Sequence, residues 1–534
     1  MKQSKIWVCG FLFIIFLGLS LVIVQTVQID PFFHYHYPDT QNYFYALNNE
    51  RSQNDGITKF FDYQGVLTGT SMTENFKATE ATDLFGIDFI KIPYAGASYK
   101  EVNDGLKAAL AYHPDIQIII RGLDMNMFFD DKDYMDTSMG EFPLYMTDQN
   151  IFNDVKYVFN RDVVLKRVYQ MMRANDAPDF QGGITSFDAY SNWMKRFPVF
   201  GPQQVFPNGP WTVQHQPAPS ALFTLEDQET VLENIRQNVA ALAKGHPEVT
   251  FYCFFPPYSA AWWGYVYFEG RLDRQIQAER LIIEELLQYD NIKLFSFNNL
   301  TDITTDLNNY RDILHYGEWI NSLVLRYMHD DICRLTVDNY ERYLAEEYDF
   351  YSNFDYTLFS RQDDYENEYY AAALLNEQIS GVSPISLNLT DISTYSLSHA
   401  QLVDDSDNHH SAILCTGTLQ KPAASEDTLS EYLYSTDYIG LKYTVPDISS
   451  YRYLVFDGKK ICDHGQPVVC IYDAKGTCLR QLQVSYHQLD AQWHQQLFDI
   501  SGLTGEVTLI LHGGYIDETG DPDSQFMFRN ITLY

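Results

Sequence analysis

Positive charge is the scarcest feature of this chain. Its 534 residues carry 36 Lys and Arg against 71 Asp and Glu, a formal net charge of −35. A phosphate backbone needs a basic footprint, so this balance excludes nucleic acid as the partner. Cysteine is also sparse, with seven in all and no Cys-x-x-Cys pair, which argues against a zinc site. Cys253 and Cys333 stand alone and read as buried. Cys415, Cys462, Cys470 and Cys478 cluster in the last quarter and leave room for one or two disulfides. There is no internal repeat, which sets aside solenoid architectures. Long apolar runs are missing too, with one exception.

That exception is Met1 to Val27, which holds Cys9. The stretch Ile6 to Val24 has no charge and, with Gln25 to Val27, just spans a bilayer core of about 30 Å. Lys2 and Lys5 precede it and no Lys or Arg follows until Arg51, so the amino end is expected to stay cytoplasmic. No small-x-small cleavage site follows the run. The expectation is an uncleaved single-pass anchor in the cell membrane, with everything from about Gln28 extracytoplasmic. His34 and His36, in IDPFFHYHYP, would face one side of an extended segment. Two ligands are too few for a metal site, and the stretch reads as aromatic juxtamembrane packing.

With 46% hydrophobic residues the chain is globular, and its length predicts two or three domains. Apolar strands alternate with amphipathic helices over 28–360, predicting a three-layer α/β/α domain with a mainly parallel sheet. A Gly/Pro/Trp-rich insertion at about 130–219 interrupts this rhythm and reads as a lid or substrate wall over the carboxyl edge of the sheet. Residues 361–382 read as a connecting segment, with a helix near Tyr365 to Leu375. The short alternating runs of 383–534 predict an antiparallel β-sandwich.

Two stretches could carry chemistry. In YQGVLTGTSMTENF, the strand Val66-Leu67 breaks at Gly69-Thr70-Ser71, placing a serine at a strand-to-helix turn on the carboxyl edge of the sheet. Serine there is commonly a helix cap. After the last α/β strand comes Asp312-Ile-Leu-His315. A carboxylate and an imidazole three residues apart converge if the loop begins a helix. A serine nucleophile needs such a base, and the base needs an orienting carboxylate. The bland alternative has Asp312 capping the following helix and His315 as an ordinary histidine.

Taken together, a serine after the first strand, Asp-x-x-His after the last, and turns carrying Gly96 and Asn126 resemble the SGNH (GDSL-like) hydrolase superfamily. The resemblance covers about Phe60 to Met328. It implies Ser71 as nucleophile, His315 as base and Asp312 as its orienter. It also implies an oxyanion site from Ser71, Gly96 and Asn126. Here Gly122 is followed by Leu-Asp-Met-Asn, where the family has Gly-x-Asn-Asp, so Asp124 could take the place of Asn126. Gly-Thr-Ser for Gly-Asp-Ser is similar to the membrane-anchored branch that includes alginate O-acetylation proteins and DltD-type proteins of teichoic-acid alanylation.

The aromatic loop at Tyr258, Trp262 and Trp263 reads either as a sugar-stacking platform or as a packed hydrophobic edge. The sandwich looks like a carbohydrate-binding-module jelly roll. Its acidic stretches, Asp404, Asp405 and Asp407, and Asp517, Glu518, Asp521 and Asp523, are candidates for structural calcium or simply solvated turns; no other cofactor is expected. Two functions follow. One is a serine esterase or O-acyltransferase acting on a cell-envelope or extracellular polysaccharide, with a multi-span membrane protein as acyl donor in the transferase case. The other is a non-catalytic scaffold that binds such a polymer or an envelope assembly complex.

Overall fold

The computed structural model describes residues 2–138, 142–148, 150–175, 177, 180–196, 198, 200–206, 216–360, 384–405, 410–420, 427–461, 467–484, 493–517 and 525–534. The expected connecting segment 361–382, Cys462, Asp407, Glu518, Asp521 and Asp523 lie outside them. The apolar start forms one helix, Lys2–Ile29, of which Lys5–Ile29 is long and apolar enough to cross a membrane.

The first unit contains strands β1 (Phe44–Tyr45), β2 (Gly65–Gly69), β3 (Phe89–Pro93), β4 (Ile118–Gly122), β5 (Gly183–Ile184), β6 (Thr250–Phe255), β7 (Ile292–Ser296) and β8 (Arg334–Leu335). β1 and β5 form a small parallel ribbon, while the main sheet runs β3-β2-β4-β6-β7-β8. Its first five strands are parallel and β8 closes the edge antiparallel to β7. Every residue of β2 and β3 is buried, so helices cover both faces, which is why runs such as GVLTG show no alternation. β2 leads to β3 on one side, whereas β4 leads to β6 on the other. The loops leaving β2 and β4 therefore diverge and open a crevice at the carboxyl ends of these two strands.

One helix was hidden in the sequence. Tyr340–Asn353 is helical and buries Leu344, Glu347 and Tyr351. An acid and a tyrosine make up most of that stripe, so no apolar period marks it.

In the second unit, one sheet runs through Tyr395–Ser398, Gly440–Val445, Val507–His512, Val468–Asp473 and Cys478–Gln483. The other runs through Ala400–Asp405, His410–Thr416, Gln525–Leu533, Tyr453–Lys460 and His494–Asp499. All these pairings are antiparallel, and the two sheets enclose a core separate from that of the α/β unit. Two expectations need correction. Cys415, Cys470 and Cys478 are free thiols, so no disulfide forms among them. Asp404 and Asp405 end the strand Ala400–Asp405 instead of forming a loop.

A polar junction joins the units. The helix Leu429–Ser435 meets the start of the helix Glu318–His329, where buried Glu318 accepts hydrogen bonds from the Ser430 and Thr428 hydroxyls at 2.8 and 3.1 Å. Lys77 completes it, 2.9 Å from Glu431 and 3.8 Å from Glu318.

Candidate active site

The crevice between β2 and β4 holds the serine. Gly69 has φ +149°, and a Cβ there would lie 2.6 Å from Thr73 Cγ2, so only glycine lets β2 turn this sharply. The chain then makes a single tight turn, Ser71–Thr73, instead of entering a long helix at once. The Thr70 hydroxyl donates to Asp124 Oδ2 at 2.7 Å, tying the turn after β2 to the turn after β4. Tyr258 donates to Asp124 Oδ1 at 2.8 Å and lies 3.0 Å from Asn126 Oδ1. Burial pushes the Asp124 carboxyl above its ordinary range, against the pull of the Thr70 and Tyr258 hydroxyls.

The structure brings Ser71, His315 and Asp312 together. Ser71 Oγ lies 2.8 Å from His315 Nε2, and His315 Nδ1 lies 2.8 and 2.9 Å from the two Asp312 oxygens. The convergence does not come from a helix, as the spacing suggested. Residues 311–315 form a loop clipped at its base, with Arg311 N–H donating to His315 O at 3.0 Å and a Tyr310–Tyr316 bridge; the helix starts only at Glu318. Asp312 Oδ1 also accepts the Leu314 and His315 N–H groups at 2.9 and 2.8 Å. Burial would raise the Asp312 carboxyl, but the His315 hydrogen bond and charge, with these N–H donors, hold it below the usual value.

Gly96 sits in the turn after β3 at φ +61°. Among the described residues neither its N–H nor that of Ser71 has a hydrogen-bond partner. Asn126 is exposed and its carboxamide oxygen faces Tyr258, which leaves its Nδ2 hydrogens as the outward donors.

The aromatic loop needs correction. Tyr258 and Trp263 are wholly buried and Trp262 nearly so, with Trp263 stacked on Tyr351 at 4.5 Å. Their faces are spent on the core and cannot stack a sugar. Trp262 and Trp263 stand on the helix Ala260–Phe268, and the residues just before it prop the histidine: Ser259 Oγ donates to Ile313 O at 2.7 Å, and the Tyr310 hydroxyl donates to Pro257 O at 2.7 Å.

The open side is a cleft of about 1000 Å³ lined by His315, Asp312, Arg311, Trp193, Tyr145 and Glu74, among others. Trp193 meets the His315 ring edge-on at 6.3 Å and carries the Arg311 guanidinium at 5.0 Å. Trp193 and Tyr145 belong to the insertion, which thus builds one wall of the cleft. No spacing in the sequence pointed to either residue, although Arg311 directly precedes Asp312.

Glu74, three residues after Ser71, shares the wall with Glu50, whose Oε2 accepts the Ala95 N–H at 2.5 Å. Burial and the adjacent Glu50 carboxylate push the Glu74 carboxyl well above the ordinary range. A raised carboxyl contributes stability that is complete below about pH 4.5 and is lost as pH rises through its shifted value. Glu74→Gln keeps a hydrogen-bonding partner without the proton cost. It is expected to raise the melting temperature at pH 8 by about 2 °C and to leave it unchanged at pH 4, read by calorimetry at both.

No family model and no curated protein matches this chain. Solved structures are similar at low identity. A structure from Streptococcus pneumonia, provisionally assigned as a platelet activating factor, is 10% identical over 53% of this chain and 90% of that one, with TM-score 0.27. A family two carbohydrate esterase from Cellvibrio japonicus is 13% identical over 28% of this chain and 33% of that one, with TM-score 0.17. A family 6 carbohydrate-binding module from Clostridium cellulolyticum in complex with xylose is 13% identical over 28% of this chain and 96% of that one, with TM-score 0.18.

Proposed function

We propose that this chain is a membrane-anchored, extracytoplasmic serine esterase or O-acyltransferase of SGNH type, acting on acyl esters of a cell-envelope or extracellular polysaccharide. The reading rests on one observation, the continuous line from Ser71 Oγ through His315 to Asp312, each step 2.8 Å. A serine hydroxyl is a weak nucleophile until a base takes its proton. In this reading His315 Nε2 takes it as Oγ attacks the ester carbonyl, and Asp312 holds the imidazole with its other proton on Nδ1. The Ser71 and Gly96 N–H groups, with Asn126 Nδ2, receive the oxyanion; each donor is worth about 3 kcal/mol in comparable sites. His315 then returns the proton to the leaving alcohol. Water resolves the acyl-serine in an esterase, and a sugar hydroxyl does so in a transferase.

Acetyl is the acyl group favoured. A cleft of about 1000 Å³ beside Trp193 and Tyr145 would receive the glycan, and Ser71 is half-buried. The sandwich would hold polymer near the cleft. An acyl donor from the cytoplasmic side would need a multi-span partner, because a single helix here is long and apolar enough to cross a membrane among the described residues. The non-catalytic scaffold is the weaker reading, since binding alone asks for no serine within 2.8 Å of an oriented imidazole. Full-length protein in detergent is expected to release acetate from an acetylated polysaccharide, or to pass it to a glycan hydroxyl. Failure of both would count against the reading.

A further inference from the structure

The insertion carries charge of the wrong sign for this protein. Between Ile151 and Asn175 it places Lys156, Arg161, Lys166, Arg167 and Arg173 against Asp154 and Asp162 alone, in a chain of net charge −35. The segment is helical at Val155–Val158, Asp162–Val168 and Tyr169–Asn175. Its two faces differ. Tyr157, Val158, Val163 and Val168 are buried, and Asp162–Val168 is a π-helix, whose wider turn brings Val163 and Val168 toward one side. By contrast Ile151, Phe152, Val155, Leu165 and Tyr169 are exposed, Phe152 by 86% and Ile151 by 73%. Leu165, Tyr169 and Met172 follow helical spacing, so they form a stripe.

The buried face identifies what covers the exposed one. It packs on Ile29 and Phe32, with Val27 beside them, at the carboxyl end of the apolar helix. Polar ties make the joint rigid. The Tyr157 hydroxyl donates to Asp30 Oδ1 at 2.8 Å, the Tyr35 hydroxyl donates to Asp154 Oδ2 at 3.1 Å, and His34 Nε2 lies 3.2 Å from Asp154. Asp30 also accepts the N–H groups of His34, Tyr35 and His36. A hydrocarbon core of about 30 Å uses about 20 helical residues, so Val27 and Ile29 stand within about one helical turn of its edge.

We propose that residues 151–175 lie on the outer surface of the bilayer, with Ile151, Phe152, Leu165 and Tyr169 in the headgroup boundary and Arg161, Lys166 and Arg173 on anionic lipid phosphates. An exposed apolar stripe flanked by Lys and Arg is the composition of an interfacial helix. Because Lys156 and Tyr145 line the cleft, its mouth opens along the membrane surface. The inference rests on reading Lys5–Ile29 as a retained anchor but needs no activity from Ser71.

The test places a photoreactive benzoylphenylalanine in the full chain, reconstituted in phosphatidylcholine–phosphatidylglycerol vesicles, at position 11, 152, 165 or 222. Position 11 lies in the anchor; Leu222 is an exposed apolar residue outside the insertion. Lipid adducts detected by mass spectrometry are expected at 11, 152 and 165 and not at 222. Replacing Arg161, Lys166 and Arg173 together by Glu should lower the yield at 152 and 165 several-fold and spare position 11. An adduct at 11 without one at 152 or 165, or adducts there to a second copy of the chain, would overturn the proposal. No adduct at 11 would remove the anchor itself, and with it the inference.

Discussion

Ser71→Ala is expected to lower kcat/KM for acyl-ester cleavage by about four to six orders of magnitude while leaving the fold intact. The size follows from the division of labour at the site. His315 and Asp312 exist, in this reading, to activate one hydroxyl, and without it they have nothing to deprotonate. What remains is the oxyanion pocket acting on water, worth roughly a thousandfold or more over the uncatalysed rate. The fold is spared because, among the described residues, the Ser71 side chain bonds only His315, whereas the turn is held by Gly69 and by Thr70 on Asp124. Steady-state kinetics on an acetyl ester, beside circular dichroism of both proteins, reads the result. A loss of less than tenfold would mean that ester cleavage does not pass through this serine.

Asp312→Asn is the second large effect, expected at about 10⁴-fold in kcat with little change in KM. Asparagine can keep the bonds that Asp312 Oδ1 accepts from the Leu314 and His315 N–H groups, so the clipped loop should survive. Its amide would turn a donor toward His315 Nδ1, forcing the ring proton onto Nε2, where it faces Ser71 and can take nothing from it. The carboxylate also loses its charge, which in the native protein His315 helps to hold ionised below the usual range. Asp312→Ala removes the loop bonds as well and should cost stability in addition. Comparable melting temperatures for the wild type and Asp312→Asn, beside a collapsed kcat, would separate orientation of the base from upkeep of the loop.

Much of the scaffold was legible in the sequence because it obeys local rules. Continuous apolar runs marked β2, β3, β4, β6 and β7, and turn chemistry marked Gly69 and Gly96. The approach of Ser71 to His315 was legible only as a pattern of spacing along the chain. The loop that achieves it is shaped by Arg311 N–H on His315 O and by Ser259 on Ile313, contacts no period reveals. Tyr258, Trp262 and Trp263 misled because a run of aromatics after a strand looks the same whether it faces solvent or core. Trp263 is stacked on Tyr351, which lies on a helix whose stripe of Leu344, Glu347 and Tyr351 gave no apolar signal. The true aromatic wall, Trp193 and Tyr145, lies in the insertion, where sequence distance from the strands hid its position over them.

The central claim is that Ser71 is a nucleophile made reactive by His315. A fluorophosphonate probe tests this without knowledge of the substrate, since it forms a stable bond to an activated serine oxygen. Incubated with the full-length protein and read by peptide mass spectrometry, it should modify Ser71 alone, and His315→Ala should abolish the adduct. An unmodified Ser71 in the folded protein, or equal labelling with and without His315, would contradict the account.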